Sequence, residues 1–307
     1  MMNKYLDVRP EISRALATGR PVVALESAVI SHGLPRPRNL ETALKMEAAV
    51  REHGAVPATT AVLKGRLVIG VSPEELELLA SSEGVAKVSR RDLSAVLAAG
   101  GFGATTVAAA IFLAAQAGIR VFATGGIGGV HRGGENSFDI SADLTELART
   151  PLAVVCAGAK AILDLRRTLE VLETLGVAVV GYRTNEFPGF YSQESGLMLD
   201  YRVDTPDEAA RLMAAHWDLQ LSAGIVFCNP PPAESALNRS EVESLIEQAL
   251  DSAARDGIHG KGVTPYLLAQ LAKESGGRTL EANIALLVEN VRLAARMAAS
   301  YSALATS

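Results

Sequence analysis

The chain has 307 residues, of which 49% are apolar and 21% charged, an ordinary globular composition that can bury a full core without covalent staples. A formal net charge of -5 argues against a nucleic-acid duplex or an anionic membrane as a partner surface, and leaves room for a small anion in one local basic pocket. Two cysteines, Cys156 and Cys228, cannot form a disulfide framework. Each closes an apolar run (LAVVC, GIVFC) and reads as buried and reduced, which points to the cytoplasm. The opening MMNKYLDVRPEI has no apolar signal region, and the most apolar run, residues 107–115, is too short to span a bilayer.

VVALE, at residues 22–26, reads as a buried strand that ends on a glutamate. Residues 40–53 carry Leu40, Leu44, Met46, Ala49 and Val50 at helical spacing, with Gly54 as a stop. Residues 59–63 and 66–71 flank Lys64-Gly65 and form an expected hairpin. Helices are expected at 73–81 and 105–118. A strand at 120–124 then runs into a glycine loop. Residues 152–156 are a strand, 161–175 a helix closed by Gly176, 177–180 a strand, 207–217 a helix, 224–228 a strand and 240–256 a helix. The tail, 265–303, reads as two helices separated near 275–279.

Short buried strands alternating with helices predict an α/β fold, with a central mostly parallel sheet flanked by helices on both faces. No linker or repeat divides residues 1–307, so a single domain with a small β-hairpin excursion is expected. In such sheets ligands sit at the carboxyl ends of the strands. That rule selects the loops after Leu25, Thr124, Cys156 and Cys228.

In the first loop, Glu26 directly follows a buried strand. Desolvation would raise its pKa and suit it to act as a general acid; an ordinary ion pair with an arginine is the plainer alternative. The second loop, TGGIGGVHRGGENSFDISADL, holds six glycines between Gly125 and Gly134 and would expose backbone N–H groups to an anion. It is neither a dinucleotide fingerprint, since His131 takes the third glycine position, nor a Walker A loop. Asp139 and Asp143 stand four apart, which on a helical turn would put two hard oxygen ligands on one side and suit Mg²⁺ or Mn²⁺. Asp139 or Ser141 could equally cap a helix that starts near Asp143.

The third loop contains VVCAGAK. Lys160 follows a buried strand, where the next helix is expected to begin. Desolvation and the positive end of that helix would both lower its pKa and make it a Schiff-base nucleophile; a solvated helix-start lysine is the alternative. The fourth loop, Asn229 with Pro230, Pro231 and Pro232, has a stiffened path and no chemistry of its own. Lys87, in EGVAKVSRRDL, could contact a phosphate or be a plain surface charge.

The segments ALESAVISHGLPRPRN, GGIGGVHRGGENSFDISADL, VVCAGAKAILDLRRTLEVLETLGV, VGYRTNEFPGFYSQESG, CNPPPAE and GKGVTPYLLAQL…TLEANIALLVENV resemble pseudouridine-5′-phosphate glycosidases, the indigoidine synthase A-like group. They run in the family's order from about Val22 to Ala295. The sequence departs from the family pattern at Ala161, Gly189 and Pro231, none of which carries a role named below. The resemblance implies reversible conversion of pseudouridine 5′-phosphate and water to uracil and ribose 5-phosphate. It also implies one Mn²⁺ per subunit, a homotrimer, and small-molecule ligands rather than nucleic acid or membrane. By the same resemblance Glu26 is the proton donor, Lys160 the nucleophile and Asp139 the metal ligand. Lys87, Val107, Ser141, Ala142, Asp143 and Asn283 are substrate-binding positions. A Schiff-base lyase or glycosidase acting on another sugar phosphate, and a non-catalytic nucleotide-binding protein, are the competing functions.

Overall fold

A computed structural model describes residues 4–258 and 263–306. The strands in chain order are β1 (Leu6–Val8), β2 (Val22–Leu25), β3 (Val56–Leu63), β4 (Arg66–Ile69), β5 (Ala86–Val88), β6 (Gly103–Thr105), β7 (Val121–Ala123), β8 (Val130–His131), β9 (Ala153–Cys156), β10 (Leu163–Asp164), β11 (Ala178–Tyr182), β12 (Tyr201–Val203) and β13 (Ile225–Cys228). The α-helices are α1 (Pro10–Ala17), α2 (Arg38–Glu52), α3 (Pro73–Ser81), α4 (Leu93–Ala98), α5 (Val107–Gln116), α6 (Gly134–Ser137), α7 (Ala142–Leu147), α8 (Leu165–Thr174), α9 (Pro206–Asp218), α10 (Arg239–Arg255), α11 (Val263–Glu274) and α12 (Arg278–Thr306).

One main sheet runs β1-β4-β3-β2-β7-β9-β13-β11-β12, with β5 and β6 joined to it through β3. From β3 through β2 and β7 to β12 every neighbouring pair is parallel. The central strands are apolar along their whole length, as both-face burial demands: all residues of β2, β7, β9 and β13 are buried. Helix α12 lies against β2, β7 and β9 and packs on α2 and α9; α5, with α7, covers the other face. Helix α5 (VAAAIFLAAQ) is apolar nearly all round and accordingly sits between the sheet and α7.

Local chemistry fixes several boundaries. Ser72 and Glu75 form a reciprocal capping box, with Pro73 at the first helical position, so α3 spans the expected residues. Thr205, Glu208 and Pro206 repeat the device at α9. Lys64 and Gly65 both have left-handed φ, +50° and +69°, the conformation a two-residue hairpin turn requires. The hairpin is built into the main sheet: β3 pairs β2 along its first half and β4 along its second, and β4 carries the edge strand β1.

Two expectations fail locally. The helix after Lys160 begins at Leu165, because residues 163 and 164 pair with β8 as a short antiparallel ladder. Lys160 therefore lies in a loop and not at a helix N-terminus. Asp139 likewise precedes α7, so it does not share a helical face with Asp143. Gly260, Lys261 and Gly262 of the GKGV motif lie outside the described residues.

Candidate active site

The register aligns the strand ends. Leu25 is level with Ala123, and Ala123 with Val155, so Glu26, Thr124 and Cys156 emerge side by side from three adjacent strands. The β7–β9 pairing then continues into the loops. Ala157 N–H donates to Gly125 O at 2.9 Å, Ile127 N–H to Gly158 O at 3.1 Å, and Lys160 N–H to Ile127 O at 3.0 Å. The glycine loop and the CAGAK segment are thus one hydrogen-bonded unit. Gly158 makes this possible with φ +80°, a conformation that strains an L side chain.

These loops open into a cavity of about 390 Å³. Glu26, Lys87, Val107, Asp139, Ser141, Ala142, Asp143, Lys160 and Asn283 all line it. Of the four loops singled out by strand position, the fourth stays outside: Asn229 donates from Nδ2 to Asn290 Oδ1 at 3.0 Å. Fully buried Asn290 in turn donates from Nδ2 to Thr124 O at 2.8 Å. The Asn229 loop therefore acts on the site only by holding the start of the glycine loop.

Glu26 is buried, and Thr124 Oγ1 donates a short hydrogen bond to its Oε1. Burial pushes the Glu26 carboxyl above its ordinary value; the charge of Lys160 and the Thr124 hydrogen bond pull the other way. Among the described residues no arginine pairs with it. Lys160 is half-buried, in the same cavity. A carboxyl raised by burial and an amine within its electrostatic reach are the two groups here that can carry proton transfer and covalent chemistry.

Asp143 is buried and already committed. Its Oδ1 accepts from Ala108 N–H at 2.9 Å and its Oδ2 from Gly128 N–H at 2.8 Å. It ties the first turn of α5 to the glycine loop. Ser141 caps α7 by accepting from Asp143 N–H at 3.2 Å, which settles the capping alternative in its favour over Asp139. A Cβ on Gly128 would stand 2.1 Å from Ser141 Oγ and 2.8 Å from Asp143 Oδ2, so only glycine fits under this staple.

Val107 opens α5, and its side chain is buried. What it can offer a ligand is its backbone N–H, one of the unpaired donors of a helix N-terminus, next to Lys87 in the cavity wall. Two further residues of this wall carry polar atoms that sequence reasoning passed over. Thr106 Oγ1 and His32 Nε2 are buried without a hydrogen-bond partner among the described residues. Burial pulls the His32 imidazole below its ordinary value, and the charge of Lys87 adds to the shift. Thr124 was also passed over as a functional side chain, although it follows β7 just as Glu26 follows β2.

The side chain of Asp139 is 49% exposed at the cavity rim, with Oδ2 4.0 Å from His131 Nδ1. Among the described residues no group of three or more His, Cys, Asp or Glu side chains is assembled to hold a metal. With both Asp143 oxygens engaged, an ion here would have one carboxylate, with waters or ligand oxygens completing its shell. That donor set fits Mg²⁺ or Mn²⁺, which keep several waters, and does not fit zinc.

A family model described as Indigoidine synthase A like protein matches residues 11–300, and the chain belongs to that family. A pseudouridine-5′-phosphate glycosidase of Hahella chejuensis is 54% identical over 303 residues, covering 98% of this chain and all of the relative. One from Solibacter usitatus is 56% identical over 294 residues, covering 96% and 98%. Among solved structures, the prealnumycin C-glycosynthase AlnA in complex with ribulose 5-phosphate superposes with a TM-score of 0.92 at 43% identity, covering 99% of both chains. An indigoidine synthase A-like protein of Thermotoga maritima superposes with a TM-score of 0.88 at 40% identity, covering 97% and 96%.

Proposed function

We propose that this chain is an enzyme that reversibly cleaves the C–C glycosidic bond of pseudouridine 5′-phosphate, giving uracil and ribose 5-phosphate. Full-length relatives that are more than half identical carry that activity in their names. The observation that carries the chemistry is Glu26 beside Lys160 at the ends of β2 and β9, in one cavity. A paired-carboxylate mechanism suits the bond poorly, because a carbon leaving group offers no oxygen lone pair to protonate.

Protonated Glu26 gives its proton to the ribose ring oxygen as the C1′–O bond breaks. The lone pair of the Lys160 amine bonds to C1′ in its place, and the nitrogen passes a proton to the Glu26 carboxylate. Uracil C5 then takes up that proton from Glu26 while the C1′–C5 bond breaks, and the nitrogen lone pair forms an iminium to C1′. Water adds to C1′, expels the amine and frees open-chain ribose 5-phosphate. The substrate phosphate is assigned to Lys87, the Val107 N–H and the Thr106 hydroxyl, where a cation and a helix N-terminus favour an anion. Ser141, Ala142 and Asn283 contact the sugar or base. Asp143 keeps the glycine loop in shape.

Asp139 would hold one Mn²⁺ per subunit; such an ion supplies positive charge and ordered water at the rim. A homotrimer and a cytoplasmic setting complete the reading by family resemblance. No helix among the described residues is long and apolar enough to cross a membrane.

The test is an intact-mass measurement on the purified protein with Mn²⁺, ribose 5-phosphate and borohydride, paired with an assay of uracil release from pseudouridine 5′-phosphate. One reduced pentose phosphate per chain on the Lys160 peptide, together with uracil release, is expected. Uracil release without an adduct would remove the lysine mechanism, and neither would return the chain to the binding-protein reading. The 43% identity to a C-glycosynthase supports one variant of this reading, with the same sugar-phosphate chemistry joined to another carbon acceptor. An adduct without uracil release would favour that variant.

A further inference from the structure

A second cavity, of about 400 Å³, lies near the amino-terminal ends of β7 and β9, away from the strand ends that carry Glu26 and Lys160. Arg90, Arg120 and Arg149 line it, with Phe112, Gln116 and Thr150. Three guanidinium groups around one cavity are notable in a chain whose net charge is -5. Two of the lining residues share one buried partner: Glu146, only 3% exposed, accepts from Arg90 Nη1 at 2.9 and 2.7 Å and from Thr150 Oγ1 at 2.7 Å. Arg90 also stacks on Phe112 and Arg120 on Trp217, so both side chains are held in place. The Arg149 side chain has no ion-pair or hydrogen-bond partner among the described residues.

Charge decides what such a cavity takes. Glu146 cancels one guanidinium, and the carboxyl-terminal end of α5 supplies about half a negative charge. Roughly one and a half positive charges remain, on planar donors whose geometry matches a tetrahedral oxyanion.

The cavity also shares its walls with the active site. Ser89, Arg91 and Asp92 line the first cavity, while Arg90 lines the second. Helix α5 gives Val107 to the first and Phe112 and Gln116 to the second. Helix α7 gives Ala142 and Asp143 to the first, and its Glu146 anchors Arg90 in the second. The 89–92 turn and α5 therefore line both cavities, and α7 is tied to the second through the Glu146–Arg90 and Glu146–Thr150 bonds.

We propose that this arginine cavity is a second anion site, for inorganic phosphate or a phosphomonoester, whose occupancy acts on the active site through the 89–92 turn, α5 and α7. The second binding site stands apart from the reaction assigned above, because the titration reads it without turnover; only its effect on kcat rests on that reaction. Inorganic phosphate binding to the full chain is measured by isothermal titration for the wild type, the Arg120→Gln/Arg149→Gln double variant and Lys87→Ala. The wild type should bind two phosphates per chain, and the double variant should weaken one of them at least about tenfold, the loss of a charge-assisted hydrogen bond. Lys87→Ala should weaken the other. Saturating phosphate should alter the kcat of the wild type and not that of the double variant.

A single wild-type phosphate abolished by Lys87→Ala would overturn the proposal. So would a double variant with both sites intact, or one that changes only the association state of the chain, which would make the cavity a subunit contact. Thermal midpoints check folding. Exposed Arg149→Gln alone, which breaks no contact among the described residues, serves if the double variant is unstable.

Discussion

Thr124 donates its hydroxyl hydrogen to Oε1 of the buried Glu26, from the strand next to it. This bond favours the charged carboxylate and opposes burial, the larger effect, which favours the acid. Thr124→Val keeps the shape and removes the donor, so the Glu26 pKa rises further. Where Glu26 acts as the acid, turnover should then persist to higher pH. The alkaline limb of kcat against pH should move up in Thr124→Val. In Glu26→Gln that limb should vanish, with kcat down about 10²–10⁴-fold. A limb that stays in place in Thr124→Val would assign it to another group.

The same shift has a stability consequence with a definite sign. The folded pKa of Glu26 lies above its unfolded value of about 4.5. Its stabilising contribution is complete below that value and is lost as pH rises through the folded pKa. Glu26→Gln cannot ionise. Thermal midpoints of wild type and variant, compared from pH 4 upward, should therefore drift in the variant's favour as pH rises. A constant difference would show that Glu26 ionises alike in the folded and unfolded states, so that burial does not raise its folded pKa.

Asp143 and Ser141 sit two residues apart and should respond very differently to truncation. Asp143→Ala leaves the Ala108 and Gly128 N–H groups buried without an acceptor and should cost about 2–4 kcal/mol. Ser141→Ala removes one helix cap and should cost about 1 kcal/mol. Urea midpoints at equal m-value measure both. Near-equal losses would mean that the staple between α5 and the glycine loop carries little of the local stability.

Much of this was legible in the sequence, for identifiable reasons. The apolar runs of β2, β9 and β13, the cap at Ser72 and the Lys64-Gly65 turn are local signals, and the structure follows them. The strand-end rule brought Glu26 and Lys160 to notice before their meeting in one cavity was visible. What failed was spacing read without tertiary pairing. The β8–β10 ladder, four residues in all, converts the expected helix start at Lys160 into a loop. The bridge between Val130 and Ile140 and the extended N-cap Ser141 separate Asp139 from the helix that holds Asp143. Strands of two or three residues such as β5, β8 and β12 have no periodicity to read and exist through their partners. Thr124 and Asn290 matter through contacts made across the fold, and Thr106 through the cavity its hydroxyl faces, which no local pattern encodes.

In the proposed reading Asp139 would hold an ion at the rim, both Asp143 oxygens being engaged by backbone N–H groups. Water-proton relaxation in a Mn²⁺ titration should show one strong site per chain in the wild type and none in Asp139→Ala. The activity of the variant should not respond to added Mn²⁺. Asp143→Asn should keep the site. Mn²⁺ binding lost in Asp143→Asn and kept in Asp139→Ala would move the ion to Asp143 and contradict the assignment.

Two glycines separate crowding from backbone strain. Gly176 closes α8 with φ +70° and has nothing within 4 Å of a built Cβ, so Gly176→Ala meets only the left-handed penalty of about 1–2 kcal/mol, and activity per folded molecule should be unchanged. Gly128 is the reverse case. No left-handed φ is required there, yet an added methyl would stand 2.1 Å from Ser141 Oγ and 2.8 Å from Asp143 Oδ2. Either the Gly128–Asp143 hydrogen bond opens or α7 retreats from the loop, and both displace the wall between Asp143 and Lys160. Gly128→Ala should therefore lower kcat/KM at least about tenfold, a shift of roughly 1.4 kcal/mol in transition-state binding. Its thermal midpoint should fall less than that of Asp143→Ala, which loses both bonds. Full activity in Gly128→Ala would mean that the loop can move aside without disturbing the site, and the close fit at Gly128 would then have no catalytic role.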